Sequence, residues 1–252
     1  MKFVSIGSGS KGNSTVITNK NTTIMIDCGF SGKETVSRLK AKGISPEQID
    51  AILVTHEHTD HCKGVATLSR QYALPIYMTH GTARGMKLLK YQYTKIVAGE
   101  SFQIGDFKID PICVPHDSNE ACQFLVNDQD KRFGILTDLG HVTPHIESAY
   151  QQCDSILLEF NHDTELLAKG PYPYSLKKRV GGNLGHLNNN QAANLLQSMD
   201  LDRLKNLALS HISEKNNCFK IALETAQNIT ENTDTTIHTL EQQFGSEWIE
   251  VA

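Results

Sequence analysis

Three histidines and an aspartate crowd into one short stretch of the chain, at His56, His58, Asp60 and His61. Neutral imidazoles and carboxylates are the usual ligands of borderline divalent cations. The stretch follows an apolar run at residues 51–54, which predicts a buried strand, and a loop at a strand end lets neighbouring side chains converge. An exposed histidine-rich loop is the alternative, but the buried strand before it and Gly64 after it favour tight packing. The spacing therefore predicts a metal site.

The surrounding sequence predicts alternating strands and helices. Strand patterns cover residues 2–6, 15–18, 22–26, 51–54, 75–78, 96–113, 124–126, 133–137, 155–160 and 207–210. Helical spacing covers residues 31–42, 63–72, 82–90, 143–150 and 189–199. Residues 170–188 are rich in proline and glycine and predict a loop over a site or an edge. We expect layered α/β packing and a single domain spanning residues 1–252.

A glycine-rich turn near the N-terminus matches the dinucleotide-binding pattern, in Gly7-Ser8-Gly9-Ser10-Lys11-Gly12. That function needs a helix directly after the turn, whose N-terminus holds the pyrophosphate. Residues 13–18 are instead β-branched and predict a strand. The pattern therefore predicts a turn and no nucleotide site, although Ser10 and Asn13 could border a site at the strand end.

The pattern H-x-H-x-D-H at residues 56–61 resembles the signature of the metallo-β-lactamase superfamily. The resemblance spans residues 3–215, and the other positions of the family follow in the expected order, at Asp27, His116, Asp138 and His211. It implies an α/β fold in the form of a four-layer αββα sandwich. The chemistry that it implies is metal-dependent hydrolysis.

The same resemblance implies two metal sites that share one aspartate. The first site comprises His56, His58, His116 and Asp138. The second comprises Asp60, His61, Asp138 and His211, while Asp27 holds a histidine ligand or its loop. Two divalent cations, zinc or manganese and less favourably iron, would activate a bridging hydroxide. The chain lacks the Glu of flavo-diiron proteins at position 58, although mono-iron dioxygenases of the superfamily keep a redox enzyme open as an alternative.

A second set of residues points to phosphodiesters. The Gly185-His186-Leu187-Asn188 turn before a predicted helix, followed by residues 206–213, resembles ribonuclease Z and the PhnP phosphodiesterases. In that family the extra histidine is thought to contact the phosphate or protonate the leaving oxygen. The resemblance therefore implies that His186, oriented by Glu159, acts in catalysis together with Asp60. A polar loop residue or helix cap is the alternative for His186.

Several stretches also resemble the bacterial YycJ (WalJ) branch of this superfamily, among them residues 4–14, 172–179 and 211–217. That branch implies 5′ to 3′ exonuclease activity on DNA, which is favoured over RNA. The chain has neither the β-CASP insertion of ribonuclease J nor the long arm of ribonuclease Z. Its rim must then hold the strand, and the candidates for phosphate contact and stacking are Lys177, Lys178, Arg179, Tyr172 and Tyr174. A solvated charge run is equally compatible with these residues.

Composition limits the remaining classes. The 252 residues carry 24 Lys+Arg against 28 Asp+Glu, a net charge of −4, which argues weakly against nonspecific nucleic-acid binding. No apolar run is long enough to span a membrane, and the N-terminus lacks a signal-peptide pattern, so we expect a cytoplasmic protein, either monomer or homodimer. A hydrolase of small cyclic phosphodiesters, lactones or thioesters, or a noncatalytic binding protein, remains an alternative.

Overall fold

A computed structural model describes residues 1–252, which form two seven-stranded mixed sheets. The first sheet has the order β14-β1-β2-β3-β4-β5-β6, with bounds β1 Lys2–Gly7, β2 Ser14–Thr18, β3 Thr23–Ile26, β4 Ala51–Leu53, β5 Ile76–Met78, β6 Thr94–Lys95 and β14 Ile249–Glu250. The second sheet has the order β13-β12-β11-β10-β9-β8-β7, with bounds β7 Phe102–Ile104, β8 Phe107–Cys113, β9 Cys122–Asp128, β10 Lys131–Leu136, β11 Ser155–Glu159, β12 Asn206–Ser210 and β13 Thr236–Thr239.

Nine α-helices and one short 3-10 turn, Pro46–Gln48, connect these strands. The helices are α1 Gly32–Ala41, α2 Thr59–Cys62, α3 Val65–Tyr72, α4 His80–Gly85, α5 Pro144–Tyr150, α6 Thr164–Lys169, α7 Tyr174–Val180, α8 Asn189–Ser198 and α9 Phe219–Thr230. None of them combines the length and the apolar character that crossing a membrane requires.

Three apolar clusters show how the layers stack. One lies between the two sheets, where Phe3 stacks on Phe133 with ring centroids 4.1 Å apart. The other two lie on the outer face of each sheet, beneath helices. Leu157 faces the space between the sheets while its neighbours Ile156 and Leu158 join the outer cluster, as the two-residue period of a strand requires. The predicted four-layer αββα sandwich is therefore confirmed.

Most of the predicted strands and helices occur within a few residues of their expected bounds. The prediction of an irregular loop over residues 170–188 is wrong, because α7 lies inside it. This helix buries none of its residues, so its sequence has no apolar periodicity to reveal it. Helix α9 was also not predicted. Its buried face consists of the small or polar residues Ala222, Ala226 and Thr230, so no pattern of large apolar residues marks it.

The site residues collect at the carboxyl ends of two sets of parallel strands, β3 to β6 and β10 to β13. Asp27 and His211 directly follow β3 and β12, and Asp138 comes two residues after β10. All three have left-handed backbone conformations, with φ of 60°, 51° and 53° respectively. A non-glycine residue in this region costs about 1–2 kcal/mol, and such residues concentrate at functional sites. The strand ends are therefore strained where their side chains converge.

Candidate metal centre and active-site cleft

The loop after β4 brings the predicted ligands of each metal site together. His56, His58 and His116 form one group whose ligand atoms all lie within 4.8 Å of one another, and Asp60, His61 and His211 form a second. Asp138 groups with His56 and His61, and thus with one histidine from each trio. This is the position that a residue shared between two sites must occupy.

Short distances across the cluster show how tightly the side chains face each other. His58 Nδ1 lies 3.2 Å from His116 Nε2, and His61 Nε2 lies 3.1 Å from Asp138 Oδ2. The distance from His211 Nε2 to Asp60 Oδ2 is 3.6 Å. The polar edges of seven side chains thus meet at one site, where five are buried and only His58 and Asp60 remain partly exposed.

Four of the histidines have their Nδ1 nitrogen held by a neighbouring oxygen. The acceptors are Thr55 Oγ1 for His56, Asp27 Oδ2 for His61, the Gly185 carbonyl for His116 and Glu159 Oε1 for His211, at 3.0, 2.7, 3.0 and 3.0 Å. An imidazole that donates through Nδ1 keeps its Nε2 lone pair free to bind a cation. Such partners are the usual way in which proteins orient histidine ligands.

The cluster also contains buried polar atoms that find no hydrogen-bond partner, His56 Nε2, Asp138 Oδ2 and His211 Nε2. Leaving a buried polar group unpaired costs about 1–3 kcal/mol. Divalent cations among these atoms would satisfy all three at once, and imidazole with carboxylate is a suitable donor set for zinc or manganese. The residues present therefore fit the metals that the sequence predicts.

Charge divides the histidines into two kinds. Burial lowers the pKa of His56 well below its ordinary value and also lowers the pKa of His116, so both are neutral. Burial also opposes protonation of His61 and His211, but the nearby carboxylates outweigh it. Asp138 and Asp27 hold the pKa of His61 well above its ordinary value, and Asp138 with Asp60 and Glu159 raises the pKa of His211 to about 10. Without metal, protons supply the positive charge that these carboxylates require.

His186 and Glu159 form a pair beside the metal cluster. His186 Nδ1 lies 2.8 Å from Glu159 Oε1 and 3.4 Å from Asp138 Oδ1. Burial opposes protonation of this ring, but the charge of Glu159 and the hydrogen bond to it raise the pKa of His186. Glu159 is fully buried and also accepts a hydrogen bond from the Leu187 backbone N–H at 3.0 Å. One carboxylate therefore orients both His186 and His211.

Helix α7 forms a wall of the cleft above these residues. The cleft has a volume of about 370 Å³, and Tyr172, Leu176, Arg179 and Val180 line it on this side. Arg179 Nε donates to Asp117 Oδ2 at 2.5 Å, and Asp117 Oδ1 lies 3.7 Å from His58 Nε2. The guanidinium thus stands at the cleft mouth, with Asp117 between it and the histidines.

The other three predicted contact residues lie outside the cleft lining. Tyr174 is 82% exposed, and Lys177 Nζ donates to the Ala168 carbonyl at 2.6 Å. Lys178 is exposed on the same short helix. Helical spacing explains the division, because residues 176, 179 and 180 share one face of α7 while residues 177 and 178 point elsewhere.

Three polar residues outside the predicted ligand set touch the cluster, and the sequence suggested only one of them, Asn13. Asp117 follows His116, and this adjacency was the signal available for it. Asn161 Nδ2 lies 3.2 Å from His211 Nδ1, but only the fold brings it there. Asn13, which the sequence suggested as a border residue, places its Nδ2 3.0 Å from His61 Nε2, and Ser10 lines the cleft.

Comparison with known proteins decides the family. Residues 22–212 match the family described as the beta-lactamase superfamily domain. The chain belongs to the metallo-β-lactamase superfamily. Exodeoxyribonuclease WalJ of Streptococcus pneumoniae serotype 2 is 35% identical over 234 residues, which cover 90% of this chain and 87% of the relative. Exodeoxyribonuclease YycJ of Bacillus anthracis is 30% identical over 239 residues, which cover 92% and 89%.

A solved structure agrees with this assignment. The metallo-β-lactamase fold protein YhfI of Bacillus subtilis superposes with a TM-score of 0.77 over 98% of each chain, at 16% identity, which shows a common fold. The resemblance that the sequence indicated, to the YycJ (WalJ) branch with ribonuclease Z and PhnP as relatives, is confirmed. This metallo-β-lactamase superfamily member is a metal-dependent hydrolase.

Changing Asp27 to asparagine is expected to weaken metal binding about 10- to 100-fold, as loss of a partner that orients a ligand usually does. Asp27 accepts hydrogen bonds from His61 Nδ1 at 2.7 Å and from the backbone and hydroxyl of Thr55, both at 2.8 Å. An asparagine amide can be an acceptor through one atom only. Competition with a metallochromic indicator measures the affinity, and Asp234→Asn, on the surface, is the matched control. Equal affinity of the two variants would contradict this role.

Metal binding to the metal-free protein is expected to release protons at neutral pH. The raised pKa values of His61 and His211 mean that both rings are doubly protonated and positively charged at neutral pH. Binding a metal requires neutral imidazole, so each ring must lose one proton. Apparent affinity should therefore fall as the pH falls. Calorimetric titration at one pH, in two buffers of different ionisation enthalpy, measures the released protons. Identical heats in both buffers would count against the protonated cluster.

Proposed function

We propose that this chain is a dinuclear metal phosphodiesterase that degrades DNA as an exonuclease from the 5′ end. The observation that carries the proposal is the His186–Glu159 pair, set beside the histidine and aspartate cluster at 2.8 Å from Nδ1 to Oε1. An acid–base group beside the metal ligands suits a reaction with a poor leaving group such as a nucleotide alkoxide, because it can protonate the leaving oxygen. The relatives named exodeoxyribonuclease support DNA as the substrate.

The protein's part in this reaction begins with holding the cations. In the proposal His56, His58, His116 and Asp138 hold one, and Asp60, His61, Asp138 and His211 hold the other, with Asp27 orienting His61. Bound zinc or manganese, with iron less favoured, would polarise the phosphate and lower the pKa of water. Asp60 and Asp138 would therefore act in catalysis by holding the cations, with Asp138 contributing to both sites.

His186 would then donate a proton to the leaving oxygen. Its Nδ1 is held by Glu159, so its other nitrogen, on a side chain that is 20% exposed, is available toward the cleft. Protonation raises the leaving ability of an alkoxide, and a positioned acid contributes about 100- to 10,000-fold. Glu159 keeps the ring in place and stabilises its charged form, which is the role that the resemblance to ribonuclease Z implied for it.

The rim of the cleft would hold the nucleic-acid backbone. Arg179 offers a guanidinium to a phosphate, and its ion pair with Asp117 keeps it at the cleft mouth. Tyr172 lies beside it for stacking. Lys177, Lys178 and Tyr174 would contact the strand further from the scissile bond, because they lie on the outer faces of α7.

The size of the cleft favours one other function. Its volume of about 370 Å³ falls at the low end of the roughly 300–1,000 Å³ range of small-molecule sites. Hydrolysis of a small cyclic phosphodiester, lactone or thioester is therefore the second candidate. The protein would use the same metals, but it would show no salt-dependent binding to DNA.

A time course on end-labelled DNA and RNA, single- and double-stranded, tests the proposal. The enzyme is loaded with manganese or zinc, and Asp138→Asn is the inactive control. Release of mononucleotides from the 5′ end of DNA is the expected result. Turnover of small diesters or esters by metal-loaded enzyme without any cleavage of nucleic acid would favour the second candidate.

We also propose that the enzyme acts in the cytoplasm. All six cysteines are unpaired, which fits a reducing compartment.

A further inference from the structure

A second cavity is lined by the residues that directly follow His211 in the chain, Ile212 to Glu214. Its volume is about 390 Å³, which is within the range of small-ligand sites. It is bounded by the loop after β1, the residues after β12, the start of α9 and the residues after β13. Nothing in the proposed metal chemistry uses it.

Two chain segments contribute to the lining of both the cavity and the cleft. In the loop after β1, Ser8 lines the cavity while Ser10 lines the cleft. Ser8 Oγ accepts a hydrogen bond at 2.8 Å from the backbone N–H of His211, and the next residue, Ile212, lines the cavity. A ligand in this cavity would therefore contact the residue that directly follows a predicted metal ligand in the chain.

The lining has the chemistry of a nucleobase site and not of a phosphate site. Phe219 lines the cavity and leaves 45% of its surface exposed, an unusual position for a large apolar ring. Glu214 and Glu241 add carboxylates, which repel phosphate but accept hydrogen bonds from the amino groups of a base. Helix α9 has no side-chain cap at its N-terminus, so backbone N–H groups of its first turn remain available to base carbonyls.

A cation stands at the boundary between the cavity and the cleft. Lys11 follows Ser10, and its Nζ lies 2.7 Å from Glu214 Oε2 in an exposed ion pair. Exposed pairs of this kind are worth only about 0–1 kcal/mol, so the ammonium can turn to another anion. If one base of the strand lay in the cavity and the scissile phosphate lay in the cleft, the sugar–phosphate backbone between them would pass this boundary.

We propose that this cavity is a subsite for one nucleobase of the substrate strand, stacked on Phe219, close to the phosphate that is cleaved. The proposal rests on the phosphodiesterase function proposed above and adds to it the place where the substrate is recognised. Stacking accepts any base, so the subsite would give affinity for nucleic acid without strong sequence preference.

Phe219→Ala and Phe219→Trp test the subsite in the metal-loaded full-length protein, with Phe244→Ala as the matched control. Phe244 is 65% exposed and lies outside the cavity lining. The substrates are a single-stranded oligonucleotide, the same strand with an abasic residue at the first, second or third position, and bis(p-nitrophenyl) phosphate. Circular dichroism verifies that each variant is folded.

Phe219→Ala is expected to raise KM for the intact oligonucleotide about 5- to 150-fold, the range that loss of one base–aromatic stack gives. Phe219→Trp and Phe244→Ala keep the KM of the parent enzyme, and hydrolysis of the small diester is unchanged in all three. For the parent enzyme, an abasic residue at one of the three positions is expected to raise KM by the same factor as Phe219→Ala does on the intact strand. On that abasic strand, Phe219→Ala should have the same KM as the parent enzyme.

Two results would overturn the subsite, and they are distinguishable. If the parent enzyme degrades oligonucleotides and Phe219→Ala leaves KM unchanged on every substrate, the subsite is wrong while the phosphodiesterase function stands. If the parent enzyme hydrolyses the small diester but no oligonucleotide, the proposed function fails and the subsite fails with it.

Discussion

Replacing Asp138 by asparagine is expected to slow phosphodiester hydrolysis by at least about a thousandfold. Asp138 is buried and groups with a histidine from each metal trio, so its loss affects both sites. Charge stabilisation by metals is worth several kcal/mol in the transition state, and each 1.36 kcal/mol is tenfold in rate. Asparagine tolerates the left-handed backbone at this position, with φ of 53°, better than alanine does, so the variant tests the carboxylate and not the turn.

Metal content and rate measured on the same sample separate the possible results for Asp138. We expect elemental analysis to show less bound metal and the DNA assay to show no release above background. Asp202→Asn, on an exposed turn, serves as the control and keeps both values. If the variant at position 138 retained its metals and its rate, Asp138 would be neither a required metal ligand nor essential for hydrolysis.

His186→Ala is expected to lower kcat on DNA by about 100-fold or more while the metals stay bound. The reason is that His186 is proposed to protonate the leaving oxygen, and a general acid contributes about 100- to 10,000-fold. A nitrophenolate leaves without protonation, so the same variant should hydrolyse thymidine 5′-p-nitrophenyl phosphate at close to the normal rate. The ratio of the two rates is the measurement that identifies an acid.

Glu159→Gln sharpens the interpretation of this result. Glu159 Oε1 receives hydrogen bonds from both His186 and His211, at 2.8 and 3.0 Å. The glutamine variant should therefore lose activity on both substrates and bind metal more weakly, whereas His186→Ala loses activity on DNA alone. Equal losses of His186→Ala on DNA and on the activated diester would assign His186 to binding, and the leaving oxygen would need another proton donor.

The central part of the histidine and aspartate cluster could be predicted because its residues are close together in the sequence. Four candidate ligands lie within six residues of one another, at His56, His58, Asp60 and His61. The apolar run before them predicts the strand that positions them, so the sequence predicted both the ligands and this strand. Asp27, Asp138 and His211 were identified only through the resemblance to the metallo-β-lactamase superfamily, which implies an acidic residue or a histidine after particular strands. Without that resemblance, the spacing of residues far apart in the sequence would not have brought them together.

The features that escaped prediction depend on contacts between distant segments. The Gly185 carbonyl fixes the His116 ring across 69 positions of sequence, and a backbone oxygen leaves no mark in the residue types. Arg179 reaches Asp117 only because α7 presents one face to the cleft. Helix α7 itself was missed, since an exposed helix without a buried face has no periodic apolar signal.

The left-handed residues at the strand ends imply that these turns keep their side chains against the preference of the backbone. Asp27, Asp138 and His211 each hold an unfavourable backbone conformation, which glycine would adopt without cost. In the metal-free protein, however, Asp138 pairs with the protonated rings of His61 and His211. Losing one partner of a buried pair costs about 3–5 kcal/mol, more than the relaxed turn returns. Glycine at position 138 or 211 should therefore lower the melting temperature of the metal-free protein, so that the charges which prepare the site for cations also hold its turns in place.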